Sequence, residues 1–148
     1  MQDIINTYDS LDSEYLQIAK DYLNLEESTM DRALERHTSI YAFFGAVLAY
    51  AKRKVDQEDI KLEHYEAKKR EVRREELVQS GQKVTERALD GYVKTVPEVI
   101  TQQTTVLECQ HRYNLSKNIL NSLDHQKDML VQMSANKRAE AKLVSDLG

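Results

Sequence analysis

Six cations, Lys61, Lys68, Lys69, Arg70, Arg73 and Arg74, stand between positions 61 and 74 of this chain. Five of them fall in 68–74, about two turns at 3.6 residues per turn. On a helix they would cover nearly every azimuth apart from the Val72 line. The chemistry open to them is capture of a polyanion. A Lys or Arg laid on a single-stranded nucleic acid releases condensed counterions, each contact adding about 0.7 to the salt slope. Tyr65, one turn earlier, offers an aromatic face on which a base can stack without sequence preference. Two blander readings stand beside these. Glu63, Glu66, Glu71, Glu75 and Glu76 are interleaved with the bases, so pairs such as Glu66 with Arg70 absorb part of the charge on an ordinary solvated helix. Tyr65 also falls on an apolar seam, where core packing accounts for it.

Other constellations do not assemble a reaction. Glu108 and His111 spell E-x-x-H, the spacing that puts a carboxylate and an imidazole on one helical face in di-metal bundles, but such bundles need the motif twice and it occurs once. Cys109 has no orienting partner of the kind that activates a nucleophile. His37 sits on the apolar seam and reads as a hydrogen-bonded core residue. The four glycines are scattered, so no phosphate-cradling loop is present. No catalytic residue, metal ligand or cofactor is expected, and an enzyme is not the reading.

The elements that would carry the cations follow from periodicity. Met30, Leu34, His37, Tyr41, Phe44, Leu48, Ala51, Val55, Leu62, Tyr65 and Val72 keep a four-three spacing in a proline-free stretch. This predicts one long helix over 29–79, about 75 Å at 1.5 Å per residue, which must find partner helices. Gln79, Ser80 and Gly81 supply its stop, the glycine at a left-handed cap. Before it, Tyr8, Leu11, Tyr15, Ile18, Tyr22 and Leu25 predict a short acidic amphipathic helix within 1–27. Ser28 and Asp31 match a capping pattern after a break near 26–29. A connecting helix is expected over 83–94. Thr95, Pro97 and Glu98 form a second start, with Thr95 as cap. A second long helix over 96–134 then carries Val99, Val106, Tyr113, Leu120, Leu123, Leu130 and Met133, with Ile100, Leu107, Leu115 and Ile119 widening the stripe. Residues 135–148 have too little apolar face to hold themselves and are expected to form a frayed or partner-ordered tail. The whole reads as a single all-α domain, an elongated helical hairpin or coiled-coil protomer.

Composition agrees with that class. Among 148 residues there are one Pro, four Gly and no Trp, and 31% are charged, a coiled-coil type of usage. The net charge of −4 hides an asymmetry: residues 1–35 hold nine acids against two bases, net −7, whereas 52–74 hold nine bases against six acids, net +3. A local polyanion site on an otherwise acidic protein fits this layout. So does charge-complementary assembly between copies. A single cysteine excludes an intrachain disulfide, and no apolar run approaches a membrane span. A cytoplasmic protein is expected.

With the basic run in view, the chain resembles phage recombination mediator proteins of the UvsY family, over roughly 28–133. The resemblance is carried by ALERHTSIYAFFGAVLAYAKRKV, by KKREVRRE closing the long helix, by KVTERALDGYVKTV before the second one, and by KDMLVQMSANKRAE in the last. It implies a small helical accessory protein that binds single-stranded DNA in an infected bacterial host's cytoplasm. Such a protein self-assembles into a homo-oligomeric ring, a heptamer being one candidate size, and helps a RecA-like recombinase replace the single-strand binding protein. By the resemblance, Lys69, Arg70, Arg73 and Arg74 match the DNA-contacting motif. Leu115, Ile119, Leu120, Leu123, Met129, Leu130 and Met133 correspond to the oligomerisation helix. The alternative from a different class is a coiled-coil scaffold or assembly chaperone without DNA binding, its basic run pairing with the acidic N-terminus of a neighbour.

Overall fold

The computed structural model describes residues 1–23 and 30–148, the side chains of residues 30 and 31 excepted. It is all-α, with no strand among the described residues. Four helices follow in order: α1 Gln2–Tyr22, α2 Met30–Gln79, α3 Glu86–Val93 and α4 Pro97–Leu147. The expected break at 26–29, the Ser28 cap and Leu25 lie outside the described residues. Two compact units form, Met1–Tyr50 with Asn114–Gly148, and Ala51–Tyr113.

In the first unit α1 buries the stripe expected of it: Tyr8, Leu11 and Ile18 are in the core. Its acidic side faces water. Tyr22 stacks on Phe43 and meets Phe44 edge-on, with ring centroids 5.9 and 4.9 Å apart, and Tyr8 meets Tyr50 edge-on at 5.1 Å. Residues early in α1 therefore touch late ones in this part of α2, so the two run antiparallel. Glu14 departs from helical geometry at φ −122° and ψ 16°, a kink that divides α1. Toward α4, His37 Nε2 lies 2.6 Å from the Leu123 carbonyl, and the Gln126 amide donates to the Leu23 carbonyl at 2.7 Å. His37 is thus the buried, hydrogen-bonded residue its seam position implied.

The second unit has its own small core of Val93, Val96 and Val99, against which Leu62 and Tyr92 pack. Helix α2 closes where its sequence asks it to. Gly81 has φ 74°, and its N–H donates to Val78 O while that of Gln82 donates to Leu77 O. This paired closure with a left-handed glycine is a Schellman cap. Thr85 starts α3, its hydroxyl accepting from the Ala88 N–H. Thr95 does not cap α4, contrary to expectation: its hydroxyl donates instead to the Tyr92 carbonyl at 2.7 Å. The backbone N–H of Thr95 donates to the same carbonyl at 2.9 Å, so the turn that closes α3 holds the Thr95 side chain against that end, where the last carbonyls of a helix need donors.

The apolar reading of α4 located its core line incompletely. Its buried residues include Val99, Gln102, Cys109, Ser116, Ile119, Leu123 and Leu130. Positions 102, 109, 116, 123 and 130 form a strict heptad row, but three are polar or small, so a scan for large apolar residues passes over them. Conversely Ile100 and Leu107, which widened the expected stripe, are exposed. Helix α4 also continues through the segment expected as a tail, to Leu147, with nearly every side chain after Leu130 exposed.

Candidate nucleic-acid interface

The six candidate cations all lie on α2 within the second unit. Lys61 is exposed and paired to Glu58 at 2.8 Å. Lys68 is exposed and has no ion-pair partner among the described residues. Lys69 reaches Glu98, near the start of α4, at 3.2 Å. Arg70 is the most heavily engaged, donating to Glu86 at 2.6 Å and to Asp90, both on α3. Asp90 and Glu86 hold its guanidinium even more firmly in the charged form than is ordinary for arginine, Asp90 contributing first. Arg73 pairs with Glu76 at 3.1 Å, and its guanidinium carbon lies 4.8 Å from the centre of the Tyr92 ring. Arg74 reaches Glu71 at 3.6 Å and Glu86 at 3.2 Å.

A local reason explains this pairing. Residues 70, 73, 74 and 77 share one side of α2, and Leu77 is buried there. Leu89 and Val93, buried on α3, bring that helix onto the same side. Glu86 and Asp90 stand one turn apart on α3, so both meet Arg70, while Tyr92 lies round the helix beneath Arg73. The arginines thus clasp α3 from both flanks. Sequence spacing alone offered acids within α2 as their partners; the cross-helix acids of α3 were not foreseen, because an i,i+4 rule looks only along one helix.

Several groups around this cluster remain open. Lys83, Arg87 and Lys94, before, within and just after α3, have no ion-pair partner among the described residues. A hollow of about 260 Å³ is lined by Glu66, Arg70, Asp90, Val93 and Lys94. A second, of about 390 Å³, is lined by Tyr65, Pro97, Glu98, Thr101 and Gln102. Tyr65 is 37% exposed, so its ring faces this hollow rather than a sealed core. Below it Gln102, 8% exposed, donates to both the carbonyl and the carboxylate of Glu58 at 3.0 and 2.8 Å. Lys61, then Gln102, hold the Glu58 carboxyl below the usual carboxylate range.

The oligomerisation candidates divide by burial. Ile119, Leu123 and Leu130 are used inside their own unit, Leu115 and Leu120 are half-buried, and Met129 and Met133 are exposed at 49% and 43%. Val131, Leu143, Val144 and Leu147 are exposed beyond them. Cys109 is buried, whereas Glu108 and His111 are exposed on α4. Among the described residues no three His, Cys, Asp or Glu groups converge as metal ligands, and no helix is long and apolar enough to cross a membrane.

Fold and surface together define an all-α protein with two helices of about fifty residues and a cation-rich unit. No family model, curated protein or solved structure matches the chain.

Proposed function

We propose that this chain binds single-stranded DNA without reading its bases and acts as a recombination mediator, assisting a RecA-like recombinase to displace the single-strand binding protein. The observation that carries this reading is the concentration of cations in one unit. Lys68, Lys83, Arg87 and Lys94 lack ion pairs among the described residues, next to the arginine group of α2. Half-exposed Tyr65 beside its hollow supplies a stacking surface of the kind single strands use. The resemblance to UvsY-like proteins supports the same reading. The mechanism is binding alone: phosphates displace water and counterions at the cations, and repetition of the site around a homo-oligomeric ring multiplies a modest contact through effective concentration. In such a ring the exposed apolar end of α4, including Met129 and Met133, is the available seam.

A second reading is favoured by one specific observation. Five of the six candidate cations already hold carboxylates of their own unit, which leaves less charge to offer phosphates and favours a coiled-coil scaffold without DNA binding. Titrating labelled oligo-dT by fluorescence anisotropy separates the two. The mediator reading expects binding that is weakened in a Lys69, Arg70, Arg73, Arg74 to Ala variant whose helicity is retained. Absence of wild-type binding at low salt would leave the scaffold.

A further inference from the structure

We propose that Glu86 and Asp90 of α3 act as a built-in counter-ligand for the nucleic-acid site, occupying Arg70 and Arg74 until phosphates displace them. This inference rests on the single-strand reading above and adds to it how the site is held in check.

The argument begins with geometry. Glu86 bridges two arginines of α2, at 2.6 Å to Arg70 and 3.2 Å to Arg74, and Asp90 takes the remaining side of Arg70. Both carboxylates are accessible, their side chains 70% and 51% exposed, and the arginines are 33% and 40% exposed. The pairs are therefore reachable by a competitor rather than locked in a core. Carboxylates one helical turn apart on a short rod also present to the guanidiniums what a strand presents: successive anionic oxygens at a regular spacing. Arg70 gives one terminal nitrogen to Glu86 and the other to Asp90, and the same two nitrogens of a guanidinium fork can donate together to one phosphate.

Exchange also need not dismantle the unit. Helix α3 has other anchors, since Leu89 and Val93 are buried, Thr85 caps its start and Arg73 rests on the Tyr92 ring. The open cations Arg87 and Lys94 lie on the side of α3 next to these acids, and Lys94 lines the same hollow as Arg70 and Asp90. An incoming strand can thus be met first by cations that have no partner, and only then compete for Arg70 and Arg74. Ligands with few charges would not displace both acids. A polyanion, which binds at several points at once, would.

The test is the affinity of the full chain for labelled oligo-dT, measured by anisotropy at one low salt concentration for wild type and two double variants. Glu86→Gln with Asp90→Asn keeps shape and removes the counter-ligand. Glu63→Gln with Glu75→Gln changes net charge equally but touches acids that hold no ion pair among the described residues. The expected result is binding about tenfold tighter for the first variant, since weak exposed pairs are what is relieved, with at most a small gain for the second. Glu86→Gln alone, which releases Arg74 from α3 and leaves it only Glu71 while Asp90 still holds Arg70, is expected to fall between wild type and the double variant. Equal affinities for the two double variants would overturn the counter-ligand and leave the single-strand reading standing. No binding by wild type or any variant would overturn both. Circular dichroism of each variant checks that helix content is kept.

Discussion

Gln102 shows how a single polar residue can organise a helix contact. It is 8% exposed and supplies both hydrogen bonds that tie α4 to Glu58 of α2. Gln102→Ala removes them and leaves an acceptor on a side chain that is only 12% exposed, so a loss of about 1–3 kcal/mol is expected. Chemical denaturation measures it; an unchanged midpoint would show the contact to be dispensable. Glu58 also fixes a pH dependence. Its carboxyl is held low by Lys61 and then Gln102, so its contribution is fully present above the ordinary carboxylate pKa of about 4.3 and is lost as pH falls through the lowered value. Glu58→Gln should therefore lose less stability than wild type as pH falls below the ordinary carboxylate pKa of about 4.3. Equal acid sensitivity would contradict this. At this scale the α2 seam was legible in part, for Tyr41, Tyr65 and Val72 lie on it and are exposed. His37, Phe44, Ala51 and Val55 lie on the seam read from their spacing and are buried. Gln102 and Ser116 were invisible to the same reading, because their burial depends on partners across the helix pair.

Elements were legible where the chain carries its own stop signals. Gly81 ends α2 in the left-handed region, and nothing lies within 4 Å of where a Cβ would be placed. Gly81→Ala thus meets only the backbone penalty, about 1–2 kcal/mol, read as a lower thermal midpoint; no change would mean the cap is not what terminates α2. In α1, the Tyr8, Leu11 and Ile18 stripe was readable, and its aromatic anchoring against Phe43 and Phe44 is the consequence. Phe44 is fully buried and contacts Tyr22 directly, so Phe44→Ala should cost about 3–5 kcal/mol and raise amide exchange in α1 first. Uniform exchange in α1 and elsewhere would contradict that placement. Helix α3 lies within the span 83–94 expected for it, whereas the cap expected of Thr95 for α4 is not made, since Thr85 and Thr95 both precede a helical segment and only the fold decides which hydroxyl meets a free N–H.

On the scale of the whole molecule, charge divides with the units. Ala51–Tyr113 carries thirteen Lys and Arg against twelve Asp and Glu, net +1, and the remainder carries eight against thirteen, net −5. The basic site therefore rests on local arrangement rather than on a positive protein, and that arrangement was only half legible: the run 68–74 was plain, its cover by α3 was not. If the chain forms a ring, the exposed end of α4 is where copies meet. Val144→Asp with Leu147→Asp should then lower the mass seen by light scattering without loss of helix, since both residues are exposed within the protomer; an unchanged mass would place the assembly seam elsewhere. The most direct test of the central claim is the salt dependence of wild-type binding to oligo-dT. The mediator account expects log affinity to fall linearly with log salt at a slope of about 0.7 for each phosphate contacted, and thus at least about 2 for three or more contacts. No measurable binding at low salt, or binding indifferent to salt, would contradict it.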